Sequence, residues 1–153
     1  MSASEPILIA SDHAAFDLKK KLIETLTDYR FEDLGPSSNQ SVDYPDFAEK
    51  VASKVSRGEA KRGILICGSG IGMSITANKF SGVRAALVES VESAMLSRQH
   101  NDANILCMGS RILPDHLALE IAKAWLSTPF SNEPRHCGRI EKIKKLEKLN
   151  GAK

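Results

Sequence analysis

The stretch Gly63-Ile64-Leu65-Ile66-Cys67-Gly68-Ser69-Gly70-Ile71-Gly72-Met73-Ser74 decides the fold. Its first part is an uncharged, β-branched run of strand length, the composition of a strand buried on both faces. Glycines then alternate with other residues, which permits positive φ and leaves backbone N–H groups bare ahead of a helix whose N-terminus adds positive potential. Strand, glycine turn and helix make one βα unit, and the same alternation continues in both directions. Residues 7–10 are an apolar run, and Leu18, Leu22, Ile23 and Leu26 behind them form a helical stripe. Residues 31–34 read as a second strand, closed by the Gly35-Pro36-Ser37-Ser38-Asn39 loop. Pro45 opens a helix carrying Phe47, Val51 and Val55. Residues 83–88 and 104–108 are the fourth and fifth strands, with a helix over 91–100 between them. Pro114 suits the first helical position ahead of Leu117, Ile121 and Trp125. Strands alternating with helices predict right-handed crossovers, and so a five-stranded parallel sheet covered on both faces.

At 153 residues the chain has the size of one domain. It reads as a single domain over residues 1–153, with a C-terminal helical tail from about residue 137. In that tail Ile140, Ile143, Leu146 and Leu149 recur every three residues, so the stripe drifts about 60° around an α-helix at each step. Such a stripe suits a partner subunit or a frayed end. Hydrophobic residues at 42% and charged residues at 26% exclude a disordered chain. A net charge of +2 and an aromatic content of 5% supply neither a general basic surface nor a stacking platform, so no nucleic-acid partner is expected. The basic excess is local: from Arg135 to Lys153 there are seven Lys or Arg against two Glu. No run approaches a membrane span, and the start through Glu5 is polar, so a cytoplasmic protein without membrane contact is expected. Three cysteines without a C-x-x-C pair argue against a disulfide framework, and the four histidines lack metal-ligand spacing, so no metal is expected.

Open parallel sheets bind ligands at the carboxyl ends of their strands. That selects Ser11-Asp12-His13, the loop from Cys67 to Gly72, and Gly109-Ser110-Arg111, with His100-Asn101 closing the helix before strand five. The glycine loop forms an anion-binding nest but fits no familiar motif. A dinucleotide fingerprint would need glycine at Met73 or Ile75, a Walker loop needs a following Gly-Lys, and a nucleophile elbow around Ser69 would need glycine at Cys67 and Ile71. What remains is a thiol at the mouth of a nest. Cys67 can serve there as a thiolate base or lie as an ordinary buried hydrophobe, and the letters balance the two. Asp12 is an N-cap or a ligand. Arg135 and Arg139 share a helix face that, in isolation, reads as solvated.

The string Cys67-Gly68-Ser69-Gly70-Ile71-Gly72-Met73-Ser74 with Asn78-Lys79-Phe80 resembles the type B ribose-5-phosphate isomerase family. The resemblance extends through Ser11-Asp12-His13, Asp43-Tyr44-Pro45, Leu96-Ser97-Arg98-Gln99-His100-Asn101-Asp102, Gly109-Ser110-Arg111 and Arg135-His136, in order along nearly the whole chain. It implies a three-layer α/β/α, Rossmann-like domain that interconverts ribose 5-phosphate and ribulose 5-phosphate without a cofactor or metal, as a homodimer with shared active sites, sometimes paired into tetramers. It implies Cys67 as the base moving a proton between C1 and C2, and His100 as the residue that opens the furanose ring. Gly68, Ser69, Gly70, Ile71 and Gly72 match the loop holding the enediolate oxygens, and Ser69 stands where many relatives carry Thr, so its hydroxyl is retained. Asp12 and Asn101 match sugar ligands, and Tyr44 lies within the matching Asp43-Tyr44-Pro45. His13, Arg111, Arg135 and Arg139 match phosphate ligands, the last two reaching across the dimer. Met73 stands where one branch of the family carries a glutamate base, which puts this chain with the cysteine users.

Elementary chemistry agrees. Proton abstraction beside a carbonyl needs a base near carbon and donors at two oxygens, and a thiolate beside a nest provides both. With the nest engaged at C1–C2, a phosphate on C5 lies several bonds away and requires a second, basic site. The letters leave open a six-carbon aldose phosphate (allose or galactose 6-phosphate) as substrate, and a non-catalytic phosphate-sensing module.

Overall fold

The computed structural model describes residues 5–151. Residues 1–4 of the polar start, on which the expectation of a cytoplasmic protein partly rests, lie outside the described residues, as do residues 152–153. Five strands, β1 (Ile7–Ser11), β2 (Phe31–Asp33), β3 (Arg62–Cys67), β4 (Ala85–Leu87) and β5 (Ile105–Gly109), form one sheet in the order β2-β1-β3-β5-β4. Every pairing is parallel. The helices are α1 (Phe16–Thr25), α2 (Tyr44–Ser56), α3 (Ile71–Ala77), α4 (Val91–Asn101), α5 (Asp115–Ser127) and α6 (Pro134–Gly151), with a 3-10 turn at His13–Ala15.

Strand periodicity divides the core into two halves. Ile7, Ile9, Ile64, Ile66, Leu106 and Met108 face one layer, where α1, α4 and α5 contribute Leu18, Leu22, Ala94, Ile121 and Trp125. The intervening Leu8, Ala10, Leu65, Cys67, Ile105 and Cys107 face α2 and α3, which contribute Val51, Ala52, Met73 and Ala77. A sheet covered on both faces explains why its central strands read as continuous apolar runs. From β1 the chain runs outward to β2 and then back past β1 to β3. The crevice at that switch brings the ends of β1 and β3 side by side.

Three expectations are corrected, and the N-cap reading of Asp12 holds. β4 is shorter than residues 83–88: at its amino end an asparagine side chain takes the Arg84 N–H, while past its other end only Val88 N–H reaches Cys107 O, at 3.1 Å. Asn104 Oδ1 accepts from Arg84 N at 2.8 Å, and Asn78 pairs with both N and O of Ala85 at 2.9 and 3.0 Å. Pro114 is the N-cap of α5 and not its first helical residue, its ψ of 148° being extended. Asp12 caps the 3-10 turn ahead of α1, accepting from Ala15 N at 3.3 Å. The tail is a continuous helix from Pro134 and not a frayed end. Its stripe walks off the body as the three-residue repeat requires: Ile140 is 6% exposed, Ile143 46%, Leu146 59% and Leu149 77%.

Candidate active site

The ends of β1, β3 and β5 are stitched together by backbone. Asp12 N donates to Ile66 O at 3.1 Å, Ser110 N to Cys67 O at 2.9 Å, and Arg111 N to Gly68 O at 2.9 Å. Ser110 Oγ donates to Ala14 O at 3.1 Å, tying the end of β5 to the turn that carries His13. Asp12, His13, Cys67, the glycine loop and Arg111 therefore share the carboxyl rim of the sheet, as the sequence predicts.

Gly70 has φ 78°, and a Cβ there would lie 2.7 Å from the Met108 carbonyl carbon, so both conformation and space demand glycine. Gly72 is required for another reason: a Cβ would meet the Tyr44 ring at 2.4 Å. Tyr44, at the start of α2, thus lies flat against the loop. The Arg111 guanidinium lies beside Gly68.

The loop amides are not all bare. Gly70 N–H donates to Cys67 Sγ at 3.1 Å and Ile71 N–H to Ser69 Oγ at 3.2 Å. Among the described residues, no hydrogen bond takes up the N–H of Ser69 or Gly72. Because Ser69 Oγ accepts from Ile71, its own O–H is free to donate outward. The helix behind the loop has only seven residues, so the anion-binding character rests on the amides and not on a helix dipole.

The three cysteines separate by environment. Cys107 is 0% exposed, and burial, reinforced by nearby Cys67, pushes its thiol far above the usual range. Cys67, at the strand end, keeps 4% exposure and an amide directed at its sulfur. Cys137 is half-buried on α6.

His13 is fixed by the loop before α2: its Nδ1 lies 3.2 Å from both N and O of Val42. When Val42 N–H donates to Nδ1, Nε2 carries the proton and is the ring's donor. That loop is anchored by a residue the sequence reading missed. Lys19 on α1 is 0% exposed, and its Nζ donates to Asp33 Oδ1 at 2.8 Å and Pro36 O at 2.6 Å. The signal was present in its spacing, since Lys19 falls on the apolar stripe with Leu22, Ile23 and Leu26.

His100, Asn101, Arg135 and Arg139 are elsewhere. α4 begins after the carboxyl end of β4 and runs back about 16 Å, so its last residues lie at the amino-terminal rim, ahead of β5. There Arg84 Nε donates to Asn101 O at 3.0 Å. α6 meets α4 at the same place through His136, whose ring stacks on His100 with centroids 4.3 Å apart and 17° between planes. His136 is a second missed residue. It is 3% exposed, and its imidazole is held below the ordinary histidine range by burial and then by Arg135, His100 and Arg139, against a pull from Glu133. Arg135 and Arg139 flank it, exposed, with Arg135 3.4 Å from Glu133. Its sequence signal was its position between those arginines. The expected site is thus two clusters on opposite rims of one sheet.

Residues 7–143 match the family model described as Ribose/Galactose Isomerase. A putative sugar phosphate isomerase of Bacillus subtilis is 49% identical over 147 residues, covering 94% of this chain and 98% of that protein. Ribose-5-phosphate isomerase B of Escherichia coli is 44% identical over 143 residues, covering 92% and 95%. The structure of ribose-5-phosphate isomerase B from Mycoplasma genitalium with bound ribulose-5-phosphate superposes with a TM-score of 0.89 at 45% identity, covering 95% and 97%.

Proposed function

The chain belongs to the ribose/galactose isomerase family, and from that premise we propose that it interconverts ribose 5-phosphate and ribulose 5-phosphate through an enediolate, with Cys67 as the base. One observation carries the reading: a cysteine at the end of a buried strand, its sulfur accepting an amide N–H at 3.1 Å, beside a loop whose Ser69 and Gly72 N–H groups have no hydrogen-bond partner among the described residues. The Cys67 thiolate takes the proton from C2 of the open-chain aldose. The electron pair moves to form the C1–C2 double bond, and the carbonyl oxygen at C1 takes the negative charge. The proton of the C2 hydroxyl passes to the neighbouring C1 oxygen, and the same thiol returns the carbon-bound proton to C1, leaving a hydroxyl at C1 and the carbonyl at C2. The N–H groups of Ser69 and Gly72 and the Ser69 hydroxyl stabilise the two oxygens, each donor being worth about 3 kcal/mol where charge develops. Asp12 binds sugar oxygens, and the Tyr44 ring walls the cleft.

The ring-opening and phosphate-binding residues come from a second copy. His100 and Asn101 of the partner subunit complete the sugar site, and the partner subunit's Arg135 and Arg139 join His13 and Arg111 around the phosphate. His100 protonates the ring oxygen as the C1 hydroxyl loses its proton to water, which breaks the ring bond and frees the aldehyde. The reading places the protein in the cytoplasm as a two-fold dimer that can pair into tetramers, and two features support the dimer. The required groups lie on opposite rims of one chain, too far apart to meet one sugar phosphate. Apolar side chains also stand exposed beside the loop and along the tail, among them Ile71, Ile75, Ile143, Leu146 and Leu149, a surface a second copy would cover.

The test is turnover of ribose 5-phosphate by Cys67→Ala. A fall in kcat of about 10²–10⁴-fold or more is expected for loss of the acid–base group. Full activity in that variant refutes the assignment, and turnover of only six-carbon aldose phosphates by the parent protein transfers the reaction to those sugars.

A further inference from the structure

A cavity of about 390 Å³ opens at the amino-terminal rim of the sheet, lined by Lys61, Arg62, Arg84, Arg98, Asp102 and Asn104 among others. Four of these side chains are cationic and one is a carboxylate. Arg62 is 6% exposed and Arg98 9%, and buried guanidinium groups ordinarily meet carboxylates. Asp102 serves Arg98 at 2.9 Å and Arg84 at 3.4 Å, and Lys61 is paired outside with Glu5 at 3.0 Å. Among the described residues no carboxylate pairs with Arg62. Among the described residues its one hydrogen bond runs to the carbonyl of Leu126 at 2.8 Å, which occupies a single N–H of the five a guanidinium carries. Burial, and Arg98 nearby, push the Arg62 guanidinium below its ordinary range, the direction expected where positive charge is collected without enough negative charge.

The charges are also held in place. The Arg62 and Arg98 guanidinium carbons lie 5.9 and 5.7 Å from the centre of the Trp125 ring, contacts of cation–π length. Arg98 is further tied by Nε to Thr128 O at 3.1 Å and by an Nη to Ala103 O at 2.7 Å. Arg84 spends Nε and one Nη on the carbonyls of Asn101 and Asp102. Preorganised guanidinium groups with free N–H edges are the means by which proteins grip phosphate, and the volume is that of a small-molecule pocket. We propose that this cavity binds a small phosphate-class oxyanion through Arg62, Arg84 and Arg98. It shares no residue with either cluster assigned to the isomerase reaction, so it stands whether or not that reading does.

The probe is inorganic pyrophosphate, titrated calorimetrically into the full-length protein at low salt. Binding is expected to persist in the Arg135→Ala/Arg139→Ala double variant, which weakens the other phosphate position. Arg84→Gln should weaken it about tenfold or more, the loss of one charge-assisted contact. Asp102→Asn should do the reverse, because it removes the competing carboxylate while asparagine suits the left-handed φ of 45° at that position. Pyrophosphate should then bind several-fold more tightly and raise the melting temperature of this variant more than that of the parent. The proposal is overturned by absence of binding to the parent protein, by loss of all binding in the double arginine variant, or by an Asp102→Asn affinity equal to or below the parent's. The Asp102→Asn gain requires no loss of structure, so it decides the matter even if Arg84→Gln does not fold.

Discussion

At the scale of single residues, burial and the strand end sort the chemistry. Cys67 and Cys107 both face α2 and α3, yet only the first has a loop amide directed at its sulfur and residual exposure. Iodoacetamide at neutral pH is therefore expected to label Cys67, with protection by ribose 5-phosphate, and to leave Cys107 unmodified in the folded protein; peptide mass mapping reads both. Gly70 is held by conformation and contact together, so Gly70→Ala should lower unfolding free energy by about 2–4 kcal/mol, checked by urea denaturation. His136 gives a pH dependence of definite sign. Its folded-state pKa lies below that of the unfolded chain, so the unfolded state binds more protons as pH falls. The stability it contributes is present above about pH 6.5 and is lost as pH falls toward the folded value. In His136→Gln, the urea midpoint should vary less between about pH 5 and 7 than in the parent.

At the scale of elements, the loop between β2 and α2 depends on a lysine in the opposite layer. Lys19 holds Asp33 and Pro36, Asp33 in turn accepts from Gly35 N at 2.9 Å, and Val42 further along fixes His13. Asp33 is 42% exposed, so water can replace its share of the pair, whereas the ammonium has no such recourse. Lys19→Met keeps the packing but drops these bonds, with an expected loss of about 1–3 kcal/mol. It should also raise KM for the sugar phosphate more than it lowers kcat, since Lys19 touches no reacting atom; steady-state kinetics separate the two. The short β4 illustrates why strand ends are poorly legible. Residues 83–88 have strand composition, but whether backbone pairs with backbone or with Asn78 and Asn104 is settled by neighbours distant in sequence.

At the scale of the whole molecule, the separation of the two clusters makes a quantitative expectation. Cys67→Ala and His100→Asn, each inactive alone, are co-expressed or mixed under dissociating conditions. If each site combines Cys67 of one copy with His100 of the other, a mixed dimer holds one intact site and one doubly damaged site. Random pairing should restore about a quarter of parental activity. No recovery would show that one chain supplies both residues, and would send Arg135 and Arg139 back to the solvated face they resemble in isolation.

The letters alone determined the layers, the five parallel strands and the loop at the end of the third, because strand and helix periodicities and glycine punctuation are local properties. They also marked the groups on the carboxyl rim, since a parallel sheet puts every strand end there. Tertiary structure decided what depends on distance. It set His100, Asn101, Arg135 and Arg139 on the far rim, stacked His136 beneath His100, buried Lys19 as an anchor, turned two loop amides inward, and gathered Arg62, Arg84 and Arg98 around one cavity. Each of these outcomes follows from the direction of a helix across the sheet or from contacts between residues far apart in sequence, and neither quantity is carried by spacing along the chain.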